Sequence, residues 1–260
     1  MVVTLRSVAA RDEILAFCDE LLDVSSFEDY GPNGLQVPGR AEVNRITTGV
    51  TANLELLREA VDSGAELVLT HHGLLWGSEL SALSVPMAAR LRVLLCAGSS
   101  LAAYHLPLDA HPEIGNNALL REALGLEPDR RPFGEAKGSA VGVIGIAPEP
   151  MDVAELGRRL SKAVGQEPLV FDGGPAEVSS VGIVTGGGAF AIHEAGQLGL
   201  DALVTGEPTE PVMGEAREYG IHFLAGGHYA TETFGIRRLG ELVAERFSVE
   251  HEFIDVPNPV

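Results

Sequence analysis

The sequence predicts an α/β fold on three observations. Apolar runs of strand length alternate with segments of helical spacing, glycines or capping residues punctuate them, and no apolar run approaches the roughly 18 residues of a membrane span. In order, residues 12–22 carry helical spacing through Ile14, Leu15, Cys18, Leu21 and Leu22. A strand follows at 45–50, a helix at 54–63 ending before Gly64, and a buried strand at 66–70. Residues 86–92 read as a short helix, the apolar run 93–96 as a buried strand, 100–104 as a strand, and 116–124 as a helix closed by Gly125. From 126 to 137 the chain turns to proline, arginine and charged residues without an apolar period, and the domain crossover is placed there. Beyond it, 140–146 is a strand, 153–164 a helix capped by Asp152, and 169–171 a strand. Strand, helix, strand, helix, strand then continue at 181–185, 189–199, 202–205, 211–219 and 222–225. A helix at 231–246 and a strand at 250–256 finish the chain before Pro257 and Pro259, which cannot extend a ladder. Internal sequence repetition is not evident.

At about 150 residues per domain, 260 residues suit one large domain or two interlinked ones. Met1 to Leu5 is too short an apolar segment for an export signal, and Arg11, Asp12 and Glu13 follow soon after, which points to the cytoplasm. The two cysteines, Cys18 and Cys96, read as reduced core thiols and poor metal ligands. Against 37 acidic residues stand 18 basic ones, a formal charge of -19 that makes nucleic acid an unlikely partner. An anionic substrate stays open, because bound divalent cations would reverse the local sign.

Three stretches carry chemistry. The strand at 66–70 runs into His71, His72 and Gly73, and ligands of α/β sheets gather beyond the carboxyl ends of strands. Successive strand residues point to opposite faces, so the two imidazoles suit two separate ions better than one, unless the backbone turns. The alternative is a pair of buried histidines hydrogen-bonded to backbone. His228 and Glu232 stand four apart, on one face if a helix starts at Gly227, where they chelate a metal or form an exposed pair. Asp109 sits in a proline-containing loop after a strand end, as a ligand or a turn residue, flanked by His105 and His111, which orient it, transfer protons or simply bond to structure. The run from Thr185 through Gly186, Gly187 and Gly188 to Ala191 satisfies a Gly-x-Gly-x-x-Ala pattern, but no acidic residue ends the next strand at the expected spacing, Glu207 being nearest to it. It reads as a tight strand-to-helix turn or an anion cradle. Trp76 reads as packing rather than as a substrate platform.

Taken with the segments 29–37 (Asp29, Tyr30, Gly31, Pro32, Asn33, Gly34, Leu35, Gln36, Val37), 204–207 and 254–259, these stretches resemble a known family. The chain resembles the dinuclear metal-centre proteins named as GTP cyclohydrolase I type 2 homologues, from about Asp29 to the C-terminus and least from 126 to 178. The resemblance implies His72 and Asp109 on one ion, His71 and His228 on the other, and Glu232 bridging. It implies two interlinked α/β domains with mixed sheets flanked by helices, residues 1–125 plus 226–260 forming the metal-binding domain and 126–225 the second. It also implies a ring-shaped homohexamer with its metal sites facing an internal cavity.

The reaction in the family name is hydrolytic opening of the imidazole ring of GTP at carbon 8, with loss of formate. Two close divalent ions suit it by lowering the pKa of a shared water. Histidine and carboxylate admit zinc, iron, manganese, cobalt or nickel. Two other functions fit the same ligands: hydrolysis of a phosphoester or amide, and a non-enzymatic metal-binding regulatory assembly that recruits a protein partner.

Overall fold

A computed structural model of the chain describes residues 8–77 and 82–260; the segment Met1 to Leu5 weighed as an export signal lies outside them. Two compact units emerge, one comprising Met1–Leu108 and Ile236–Val256, the other Asp109–Gly235 and Pro257–Val260. Each is built around a mixed sheet, as the family resemblance implies, within the α/β class that the alternating pattern predicts.

In the first unit a five-stranded sheet runs in the order Glu250–Phe253, Arg45–Thr51, Leu67–His72, Ser100–Ala103, Gly34–Val37. The first four are parallel and the last is antiparallel. Helices cover the apolar strands: Asn53 caps Leu54–Asp62 by accepting from the Leu56 amide, and Leu56, Leu57 and Ala60 pack with Val68, Leu94 and Leu101. The run 93–96, read from sequence as a buried strand, lies instead in the helix Val85–Ala97. Ser84 caps that helix, proline sits in its first turn, and left-handed Gly98 ends it, so four apolar residues with strand character are absorbed into a helix. Cys96 is consequently exposed, not core, while Cys18 is buried; both are free thiols. Burial, with the charge of Asp19, pushes the Cys18 thiol up to about 12, so it stays protonated at neutral pH.

The second unit carries a six-stranded sheet in the order Glu127–Ala136, Ser139–Met151, Val178–Val184, Ala202–Thr205, His222–Ala225, Leu169–Phe171. Its three middle parallel strands are flanked by antiparallel ones. The helix Asn116–Ala123, grouped from sequence with residues 1–115, packs here: Leu120 and the following Leu124 lie in a core with Leu156, Leu160, Val181 and Leu224. The 126–137 segment, which has no apolar period and where the sequence reading places the domain crossover, holds an edge strand of ten residues within the second unit. Its first six residues are exposed or half-exposed and only Phe133, Gly134 and Ala136 are buried, so burial does not alternate over its first half. Asp152 caps Val153–Val164 as expected, accepting from the Glu155 amide at 2.7 Å.

Among the described residues no helix is long and apolar enough to cross a membrane.

Candidate metal centre

In the first unit, the parallel strands Leu67–His72 and Ser100–Ala103 end side by side, and their carboxyl ends present His71, His72 and, two residues beyond Ala103, His105. One ring nitrogen from each of these three histidines lies within 4.8 Å of the others, a group that could hold a metal ion. The His71 and His72 ring centroids are 4.8 Å apart although pleating would send them to opposite faces. His72 is the last strand residue before Gly73, where the pleat ends.

Protein oxygens orient each ring. His71 is fully buried, and its Nδ1 donates to the Tyr104 carbonyl at 2.9 Å, which leaves Nε2 as the basic nitrogen of the neutral ring. His72 Nδ1 is 3.1 Å from Thr51 Oγ1 at the end of the neighbouring strand. His105 Nδ1 lies 2.7 Å from Asp29 Oδ1. The Asp29 carboxylate also accepts from the amides of Tyr30 and Leu106 and from Asn33 Nδ2, while Asn33 Oδ1 accepts from the His105 amide. Burial alone would raise the Asp29 pKa, but the bond and charge of His105, with Asn33 and the Leu106 amide, hold it below the usual carboxylate range.

The second unit places Glu207 after the strand Ala202–Thr205, and His228 and Glu232 after His222–Ala225. His228 opens the short helix His228–Thr231 beyond His222–Ala225, reached through left-handed Gly227, and Glu232 follows that helix. His228 Nε2 is 3.3 Å from Glu232 Oε2, and its Nδ1 is 3.2 Å from Glu207 Oε1. Burial would lower the His228 pKa, but hydrogen bonds and charge from Glu232 and Glu207 outweigh it and lift it to about 9. Glu232 itself is only 3% exposed.

The glycine-rich run after Val178–Val184 serves this carboxylate. Gly186 donates to Thr231 Oγ1 at 3.1 Å and Gly188 to Thr205 Oγ1 at 3.0 Å, and the Gly186 carbonyl accepts from the amides of Gly206 and Glu207. These amides serve a tight strand-to-helix turn, the first of the two roles open from sequence. A Cβ on Gly186 would stand 2.0 Å from Glu232 Oε1, so the glycine is the space in which Glu232 sits.

Asp109 lies in the short helix Leu106–Ala110, not in the loop expected from sequence, and is buried. Its Oδ1 accepts from Asn116 Nδ2 at 2.8 Å, and Asn116 Oδ1 in turn accepts from the Gly235 amide at 2.7 Å. Neighbouring Asn117 is fully buried; its amide donates to the carbonyls of Asp109 and Val141, and its Oδ1 accepts from the Thr185 amide. Asn117→Leu, of similar volume, would leave those three groups unpaired in the core and is expected to lower stability by about 3 kcal/mol. A urea midpoint unchanged from the parent protein would contradict this.

The donors fit first-row divalent metals: imidazoles oriented by protein oxygens, and the buried carboxylates of Asp109 and Glu232, the latter in the space beside Gly186. His71 and His72 come together within one unit, and His228 and Glu232 within the other. The sequence reading gave Glu207 no role beyond the glycine pattern and a resembling segment, and treated Asp29 only as part of another such segment. Each acts through a partner distant in sequence, which no local spacing records.

In each unit, imidazoles or carboxylates at strand ends place the chain in a class, the α/β proteins with groups that could hold a divalent metal. Within it, the family model Duf34/NIF3 (NGG1p interacting factor 3) matches residues 9–259, and the chain belongs to this family. It is 44% identical over 241 residues to a protein of Pseudomonas aeruginosa named GTP cyclohydrolase 1 type 2 homolog, covering 93% of this chain and 95% of that one. A Deinococcus radiodurans protein of the same name is 40% identical over 252 residues, covering 97% and 95%. Among solved structures, protein ybgI, described as of unknown function, superposes with a TM-score of 0.91 at 41% identity, covering 97% of this chain and all of that one. A protein of Thermus thermophilus gives 0.84 at 33% identity, with the same coverage.

Proposed function

We propose that this chain is a dinuclear metal-dependent hydrolase that opens the imidazole ring of a guanine nucleotide and releases formate. The observation that carries the metal part is the imidazole trio at the carboxyl ends of two parallel strands, with the Nδ1 of His71 and of His105 each committed to a protein oxygen. The purine part is supported by the name that the relatives in Pseudomonas aeruginosa and Deinococcus radiodurans carry. The residues that would hold the metals are His72 and Asp109 on one ion, His71 and His228 on the other, and Glu232 between them. When bound, two divalent ions supply a lowered pKa for water and so a nucleophile near neutral pH.

This chain's own residues do the positioning. Asp29 holds the His105 ring, Tyr104 presets His71, Glu207 braces His228, and Asn116 fixes the Asp109 carboxylate. A cytoplasmic homohexamer is the assembly carried with this reading.

The test is chemical. Purified protein loaded with zinc, manganese or iron is incubated with GTP, and formate and the ring-opened product are quantified. Formate in proportion to protein supports the proposal; a metal-loaded protein that forms none rejects the substrate and leaves the metal centre to be judged on metal content.

A further inference from the structure

Two aromatic side chains adjoin the imidazole trio without being buried. Trp76, the one tryptophan of the chain, is 46% exposed, and Tyr30 is 49% exposed. The Trp76 ring lies 5.2 Å from the His105 ring in an edge-to-face arrangement and 5.8 Å from that of His72. Tyr30 approaches His105 from its own loop, with ring centroids 6.1 Å apart.

The loop beneath Trp76 is built to hold it there. Gln36 Oε1 accepts from the amides of Leu74 and Leu75 at 2.7 and 3.0 Å. The Gly77 amide donates to the Tyr30 carbonyl at 2.6 Å, which ties the two aromatic loops together. Gly31 permits this approach, because a Cβ there would stand 2.5 Å from the Leu75 carbonyl oxygen. A large aromatic fixed by several backbone bonds would serve packing if its ring were covered. Here nearly half of the residue's surface stays open, so the cost of exposing it is met while its position is kept.

We infer that Trp76 and Tyr30 form a stacking platform for a planar nitrogen heterocycle, seated beside the His72 and His105 imidazoles. This deepens the proposed function and rests on it for the site's reactivity, though the platform itself stands on the geometry of one unit. Stacking suits a purine because every base presents a π-face, and it anchors the ring without reading its edge. In this inference Trp76 takes the substrate-platform role that the sequence reading ranked below packing.

The test uses the full chain, with guanosine as probe and ribose as the control lacking the heterocycle. Binding is followed by calorimetry and by quenching of the sole tryptophan's fluorescence, and the metal content of every variant is recorded. Guanosine is expected to bind and quench, and ribose to do neither. Trp76→Ala and Tyr30→Ala should each weaken guanosine about tenfold with metal content unchanged, while Trp76→Phe, which keeps a π-face, should stay within about threefold of the parent. Trp76→Phe also guards against loss of fold in the alanine variant. Guanosine bound equally well by parent and Trp76→Ala, or ribose bound as tightly as guanosine, overturns the platform even where formate release from GTP upholds the hydrolase. Trp76-dependent guanosine binding by a protein that holds no metal upholds the platform and rejects the metal centre.

Discussion

Replacing Glu232 with alanine is expected to lower bound divalent metal from about two ions per chain to one or fewer, with formate release falling at least about a hundredfold. Glu232 is the candidate ligand with the most built around it. Its carboxylate is 3% exposed, faces His228 Nε2 at 3.3 Å, and occupies space that a side chain on Gly186 would fill. A buried carboxylate is costly unless cations or donors surround it, and a divalent ion would be the strongest such partner. Elemental analysis of parent and variant, purified alike and reconstituted with zinc, checks this. Glu232→Gln, which keeps the shape and removes the charge, should fall between them. Equal metal in parent and alanine variant would remove Glu232 from the ligand set. No metal in either after reconstitution would overturn the metal reading itself.

The order of elements was largely legible because local rules set it. The Asp152 cap, the glycine after Val153–Val164 and the short apolar strands Ala202–Thr205 and His222–Ala225 each announce themselves within a few residues. Two segments misled. The run Val93 to Cys96 fits a strand or a helix equally, and the deciding signals, the Ser84 cap and left-handed Gly98, lie outside it. The Glu127–Ala136 strand buries almost nothing until Phe133, so the pairing that makes it a strand comes from Ser139–Met151 and leaves no apolar alternation.

The site divides along the same line. His71, His72, His228 and Glu232 could be picked out because each pair lies within a short motif whose geometry follows from a strand end or a helical turn. Asp29 and His105 are separated by 76 positions, and their 2.7 Å contact exists only once the strands are assembled. Glu207 reaches His228 in the same way, from the loop after the adjacent strand. Residues that hold ligands in place are therefore the part of a metal centre that sequence spacing conceals, even where it exposes the ligands.

The glycine turn yields the second large effect. Gly186→Ala is expected to lower metal affinity by at least about tenfold and to destabilise the protein, since two separate penalties meet at one atom. The backbone there has φ of +63°, a left-handed conformation that costs a non-glycine residue about 1 kcal/mol or more. The added Cβ would also sit 2.0 Å from Glu232 Oε1 and 2.9 Å from Cδ, far inside contact distance. The turn cannot easily retreat, because its amide is held by Thr231 and its carbonyl by the amides of Gly206 and Glu207, so the carboxylate must move. A double-mutant cycle separates the two penalties. In a Glu232→Ala background the clash is absent and only the backbone strain remains, so Gly186→Ala should cost clearly less stability there than in the parent. Equal costs in both backgrounds would mean that the turn yields and that Gly186 serves backbone conformation alone. A smaller cost beside Glu232→Ala, with metal lost in either single variant, would establish that the glycine is there to admit the carboxylate.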